Sequence, residues 1–204
     1  MRKFSTDPFT DEDKKQLSDY VSSFSGGVFP NHGYNEVNRG STMDYHPENI
    51  RLSRQQNKIE NSNVSASPEY DSKYDSIVEN ASKESKLDPH FIKSFAMAES
   101  GFDNNAVSPA GAIGITQLTP IALKELKNIT GRDFDPYDPQ QNVTGGSILM
   151  KHYIERFGNV EKGIAAYNAG PSRVEKANGV PDIKETRNYV ERVLGNYKSF
   201  KTAK

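Results

Sequence analysis

The run Asp88-Pro-His-Phe-Ile-Lys-Ser-Phe-Ala-Met-Ala-Glu-Ser-Gly101 decides the fold class. Asp88 carries the side chain of a helix N-cap, and Pro89 suits the first helical position, where no backbone N–H is required. Phe91, Ile92, Phe95 and Ala96 then recur at helical spacing until Ser100-Gly101 stops the pattern. The spacing predicts an amphipathic helix over Pro89 to Glu99. The same grammar extends on both sides. Asp71 to Lys86 places Tyr74, Ile77, Val78 and Ala81 on one face. Thr119-Pro120 opens a helix running towards Asn128, and Asp138-Pro139 opens a longer one with Val143, Ile148, Leu149, Tyr153 and Ile154. Further helical turns cover Val160 to Tyr167, and a last helix, Ile183 to Phe200, aligns Tyr189, Val190, Val193, Leu194 and Tyr197. No alternating strand pattern of useful length interrupts them. The expectation is an all-α domain of about six helices, with Ser108 to Thr119 as its main irregular loop.

This helical part occupies residues 71–204. In the first 70 residues 19 are apolar, against 50 in the remaining 134, so the capacity to build a core lies after Tyr70. Residues 1–70 read as an extended or partly disordered arm with one short helix, Asp11 to Phe24, whose Leu17, Tyr20, Val21 and Phe24 form a single stripe. Either a disordered linker or an arm that docks on a partner fits this composition. The whole chain of 204 residues has 26 Lys and Arg against 27 Asp and Glu, and that balance offers no global attraction for nucleic acid. With no Cys, disulfides, thiolate metal sites and thiol nucleophiles are excluded together. No apolar run approaches the roughly 20 residues of a membrane span. The start, Met1-Arg-Lys-Phe-Ser-Thr-Asp, has no apolar stretch behind its two basic residues, which argues against a cleaved signal.

Glu99 is the most informative ionisable residue. It follows Phe95 by four and Ala96 by three, and therefore shares their inward face. Desolvation there, and the negative end of the helix dipole, both disfavour a carboxylate and raise the pKa, the environment of a general acid. Spacing alone also fits an exposed glutamate near a helix end. Downstream, Ser108-Pro-Ala-Gly-Ala-Ile-Gly-Ile-Thr-Gln-Leu-Thr-Pro120 supplies Gly111 and Gly114 for close backbone approach, with Ser108 and Gln117 as neutral hydrogen-bonding groups suited to sugar hydroxyls and amides. Ala165-Ala-Tyr-Asn-Ala-Gly-Pro171 then sets Tyr167 and Asn168 at a helix end.

Taken together, Glu99-Ser100, the Ser108 to Gln117 loop, Asp138-Pro-Gln-Gln-Asn142 with Gly146, Ala166-Tyr-Asn-Ala-Gly170 and Glu185-Thr-Arg-Asn-Tyr-Val190 closely resemble the soluble lytic transglycosylase family in order and spacing. The resemblance spans roughly Tyr74 to Tyr197. It implies a goose-type-lysozyme-like, all-α catalytic domain with a long cleft for the glycan strands of peptidoglycan. Glu99 matches the catalytic acid/base. Ser108 and Gln117 match polar residues near the reacting sugar, whereas Tyr167, Asn168 and Tyr189 match the cleft wall. Gly111, Gly114, Asn142 and Gly146 match structural positions. Where the family often has Leu-Met before the Gln, this chain has Ile115-Thr116, and the smaller polar Thr is expected to alter the sugar subsite without removing the acid. The tyrosines of the last helix fit a core seam or a cleft wall, and Tyr189 suits both.

The missing partner carboxylate indicates the reaction. Ordinary glycosidases use two acids about 5–10 Å apart. Here Asp103 lies beyond the Gly101 stop, and Glu125 sits within a helix. One carboxylate suffices if it protonates the glycosidic oxygen and then deprotonates the sugar's own carbon-6 hydroxyl, closing a 1,6-anhydromuramic acid. The reading is thus an enzyme, a peptidoglycan lytic transglycosylase without cofactor or metal, the scattered His32, His46, His90 and His152 having no ligand spacing. Its alternatives are a hydrolytic muramidase, or a structural virion or assembly protein keeping the fold for binding. A wall-degrading domain without a signal needs a carrier, and a phage virion or a secretion machine, met through the arm, would bring it to the cell wall in the periplasm.

Overall fold

The computed structural model describes Lys15 and residues 70–203. Apart from Lys15, the expected arm and its helix at Asp11 to Phe24 lie outside the described residues. A single 3₁₀ turn, Ser72–Tyr74, leads into seven helices: α1 Asp75–Ser85, α2 Pro89–Glu99, α3 Pro120–Thr130, α4 Pro139–Phe157, α5 Val160–Ala169, α6 Pro171–Ala177 and α7 Lys184–Thr202. Among the described residues there is no strand, only isolated bridges Val107–Ile113 and Ile113–Leu118 within the long loop.

The starts are those the sequence dictates. The Asp88 carboxylate accepts from His90 N at 2.7 Å, Thr119 Oγ1 from Ala122 N at 3.1 Å and Asp138 from Gln141 N at 2.7 Å, each with a proline in the following position. Asn159 caps α5 in the same way. Two boundaries differ from expectation. The first helix begins only at Asp75, because the preceding turn tightens to 3₁₀. The short helix α6 was not foreseen, since Gly170-Pro171 reads as a turn; Gly170 takes a positive φ and Pro171 starts a new helix at its first position.

The core forms where these helices cross. α2 packs on α7, and α1, α5 and α3 all pack on α4. Phe91, Ile92 and Phe95 of α2 are fully buried, each contributing about 1.5–3 kcal/mol of apolar burial. The domain closes at its N-terminal edge through Tyr70, whose ring meets Phe102 at 4.9 Å and Phe200 at 5.8 Å. Its hydroxyl donates to Asp75 Oδ1 at 3.0 Å, and Lys93 donates to the same oxygen at 2.6 Å, tying α2 to α1. No helix among the described residues is long and apolar enough to cross a membrane.

The Asp75 cluster has a testable pH dependence. The hydrogen bond from Lys93 holds the Asp75 carboxyl below the usual range, with Tyr70 adding to it. A carboxyl whose pKa is lower folded than unfolded stabilises the fold above the ordinary Asp range, and that contribution is lost as pH falls through the depressed value. Asp75 is half exposed, so screening keeps the effect below about 1 kcal/mol. Asp75→Asn is expected to lower the melting temperature by about 2–4 °C at neutral pH. In a calorimetric pH series the difference from wild type should shrink and then disappear as pH falls below the ordinary Asp range; a gap that persists in acid would mean the carboxylate charge is not its source.

Candidate active site

Glu99 is the last residue of α2, one turn beyond buried Phe95. It is half-buried and not exposed, and its Oε1 accepts a hydrogen bond from the Tyr189 hydroxyl at 2.5 Å. Tyr189 comes from α7 and is itself buried, so this part of the last helix belongs to the core while its hydroxyl reaches Glu99. Next to Glu99, Ser100 donates to the Ile115 carbonyl at 2.8 Å and pins the end of α2 to the long loop.

A second tyrosine completes the setting. Tyr167 of α5 donates to the Thr116 carbonyl at 2.9 Å, and its ring lies 5.8 Å from that of Phe95. Burial, followed by the negative charge of Glu99, pushes both tyrosine hydroxyls well above their ordinary pKa. Both therefore remain protonated donors at any physiological pH. Arg192, one turn after Tyr189, stands with its guanidinium 5.5 Å from the Tyr189 ring centre and partly opposes that rise.

The loop that supports Tyr167 is held by one buried side chain. Asn142 of α4 donates from Nδ2 to the carbonyls of Ile113 (2.8 Å) and Pro136 (2.9 Å), and its Oδ1 accepts from Thr116 N and Thr116 Oγ1, both at 2.8 Å. All four capacities of the amide are filled. Gly114, at φ +76, lies against this amide so tightly that a Cβ would collide with Nδ2 and come within 2.9 Å of the Pro136 carbonyl. A Cβ on Gly146 would strike the Thr116 side chain. The structural role expected of Asn142, Gly114 and Gly146 is seen in these contacts.

Thr116 requires a correction. It was expected to reshape a sugar subsite, yet its side chain is fully buried and its Oγ1 donates to Asn142, whose backbone carbonyl is 3.0 Å away. Only its carbonyl faces the site, through Tyr167. The polar Thr thus exchanges a hydrogen bond with α4 instead of meeting a ligand.

The other expected residues fall into two groups. Glu99, Tyr167 and Tyr189, on three different helices, form one electrostatic cluster. Ser108 and Gln117 instead close the loop on itself. Ser108 Oγ accepts from Ala112 N at 3.0 Å, while Gln117, at φ +52, donates from Nε2 to the Gly114 and Ala106 carbonyls. The Ser108 hydroxyl proton and the Gln117 Oε1 stay available to a ligand. Asn168 is half-buried beside Tyr167 and makes no side-chain hydrogen bond among the described residues. The nearby acids in sequence have other partners. Asp103 accepts from Asn105 N at 2.8 Å in an exposed turn, and Glu125 accepts from the Tyr153 hydroxyl at 2.6 Å. The Glu125–Tyr153 pair and Arg192 were not singled out from sequence; an acid and a tyrosine 28 residues apart carry no local signal of contact.

Fold and site together define a lysozyme-like helical domain with a half-buried glutamate under two tyrosines. Residues 76–190, more than half of the chain, match the transglycosylase SLT domain, and the chain belongs to that family. It is similar to the transglycosylase of Enterobacteria phage PRD1, 30% identical over 116 residues that cover 57% of this chain and 40% of that one. It is also similar to the soluble lytic murein transglycosylase of Salmonella typhimurium, 32% identical over 126 residues, 50% of this chain and 19% of the relative. Among solved structures, an inactive mutant of the lytic transglycosylase Slt of Pseudomonas aeruginosa superposes with a TM-score of 0.58 at 26% identity, covering 63% of this chain and 24% of that one. The 70 kDa soluble lytic transglycosylase of Escherichia coli shares the fold, with a TM-score of 0.56 at 23% identity over 63% of this chain and 24% of its own. The chain thus spans less than half the length of the relatives it matches.

Proposed function

We propose that this protein is a peptidoglycan lytic transglycosylase, cleaving the bond between N-acetylmuramic acid and N-acetylglucosamine with Glu99 as its one acid/base. The observation that carries the reading is the 2.5 Å hydrogen bond from Tyr189 to Glu99 at the end of α2, in a chain of the SLT family. Glu99 delivers its proton to the glycosidic oxygen as the bond to the anomeric carbon breaks. The resulting carboxylate then takes the proton of the carbon-6 hydroxyl, whose oxygen closes on the anomeric carbon, and no water is consumed. Tyr189 donates to the carboxylate in its charged form and holds it in place between the two steps. Tyr167, Asn168, Ser108 and Gln117 supply the hydrogen-bonding wall for the sugars on either side. The commitment of Asp103 and Glu125 to other partners supports a one-carboxylate route over a two-carboxylate one.

The similarity to a phage transglycosylase supports delivery to the bacterial wall, in the periplasm, by a virion. Residues 1–70, poor in apolar side chains, would serve as the carrier's docking arm, with residues 71–204 as the catalytic domain; every site residue lies in the second part. Digestion of purified sacculi in oxygen-18 water, read by mass spectrometry of the released muropeptides, tests the reaction. Products should end in anhydromuramic acid and carry no label. Labelled reducing-end muramic acid as the main product would make the protein a hydrolytic muramidase.

A further inference from the structure

The chain leaves α2 through a backbone conformation that favours glycine, and an aromatic residue stands in it. Gly101 and Phe102 follow each other at φ +66 and +67, so the backbone turns through two consecutive left-handed residues directly after Glu99 and Ser100. Gly101 suits that region, whereas a bulky side chain there is strained and persists only where its surroundings hold it. Phe102 is held by two tyrosines. Its buried ring has Tyr74 stacked on it at 5.2 Å and Tyr70 edge-on at 4.9 Å. Tyr70 is fixed in turn by the Phe200 ring of α7 at 5.8 Å, by its hydroxyl bond to Asp75 of α1 and by Lys93 of α2, whose Nζ lies 4.1 Å over the ring. Residues 70–74, where the helical domain begins, thereby grip the residue three positions after the acid.

We infer that Phe102, clasped by Tyr70 and Tyr74, is a positioning residue for Glu99. The link is short and runs along the backbone. Glu99 is the last residue of α2, and its turn is closed by the Ser100 and Gly101 N–H groups, which donate to the Ala96 and Met97 carbonyls at 3.2 and 3.1 Å. Gly101 is exposed and has no side chain to anchor, so Phe102 is the first residue after Glu99 whose side chain is buried in the core. With the ring released, the left-handed turn relaxes, the last turn of α2 loosens, and the 2.5 Å hydrogen bond between Tyr189 and Glu99 lengthens. A displacement of about 1 Å at a reacting group can cost on the order of a hundredfold in rate. A merely structural Phe102 lowers stability and leaves the rate of the folded enzyme intact; a positioning one slows the chemistry at unchanged substrate affinity. Tyr70, which composition places at the end of the arm, then serves the acid.

The inference rests on the reading of Glu99 as the acid, and its test separates the two. The full chain is assayed on soluble glycan strands released from sacculi, giving kcat and KM, with thermal melting alongside. Phe102→Gly keeps a residue suited to the left-handed region and removes the ring, while Tyr70→Ala removes one side of the clasp. Each should lower kcat by about tenfold with KM within about twofold of wild type, and Tyr70→Phe, which puts the ring back, should recover most of the rate. Since both act on the same contact, adding Phe102→Gly or Tyr70→Ala to Tyr189→Phe should slow it by less than about threefold. Should Phe102→Gly fail to fold, Tyr70→Ala at the domain edge carries the same comparison. A kcat within about twofold of wild type in the folded variants overturns the inference, as does a loss carried by KM or full multiplication with the Tyr189 effect. A Glu99→Gln chain as active as wild type overturns the acid assignment and the positioning with it.

Discussion

Glu99→Gln is expected to reduce turnover on peptidoglycan by about a thousandfold or more, while the melting temperature and glycan affinity change little. A general acid contributes roughly 10²–10⁴ to rate, and here the same group is also the base in the second half of the reaction, so its loss affects both steps. Gln keeps the size of the side chain, and its amide oxygen still accepts from the Tyr189 hydroxyl that holds Glu99 Oε1. The site geometry is thereby retained and only proton delivery is removed. A sacculus-clearing assay with calorimetry alongside checks this. Residual activity within about tenfold of wild type would show that the proton comes from elsewhere.

Asn142→Ala is expected to cost about 3–5 kcal/mol of stability, the largest loss of any single exchange in the site region. Its amide satisfies the carbonyls of Ile113 and Pro136 and both the N–H and the hydroxyl of Thr116, in a fully buried position. The Pro136 carbonyl and the Thr116 N–H lose their partner, at about 1–3 kcal/mol each, whereas the Ile113 carbonyl keeps the Leu118 N–H and the Thr116 hydroxyl keeps the Asn142 backbone carbonyl. Activity should fall with it, because the loop it anchors presents the Ile115 carbonyl to Ser100 and the Thr116 carbonyl to Tyr167. Thr116→Val, which removes only the hydroxyl, should cost about 1–2 kcal/mol. Urea denaturation of both variants checks the ordering, and a loss below about 1 kcal/mol for Asn142→Ala would mean that the loop is held chiefly by its own backbone bonds.

Most helix starts were legible along the chain. Asp88-Pro89, Thr119-Pro120 and Asp138-Pro139 are starts in which a capping oxygen and a proline act within four residues, so α2, α3 and α4 begin where the spacing placed them. Glu99 was legible for the same reason: Phe95 and Ala96 set its face, and Ser100-Gly101 sets its place at the helix end. Resemblance to a family added the tyrosines. It could not say what they touch, because Tyr189 meets Glu99 across 90 residues and Tyr167 meets a backbone carbonyl 51 residues away. Only the packing of α2, α5 and α7 brings these groups together. Thr116 is the clearest case: its type suggested a contact with sugar, and the close approach of α4 at Gly146 turned that hydroxyl inward to Asn142. The partners of polar side chains far apart in sequence are decided by which helices cross and how closely, and no period or spacing along the chain encodes that distance.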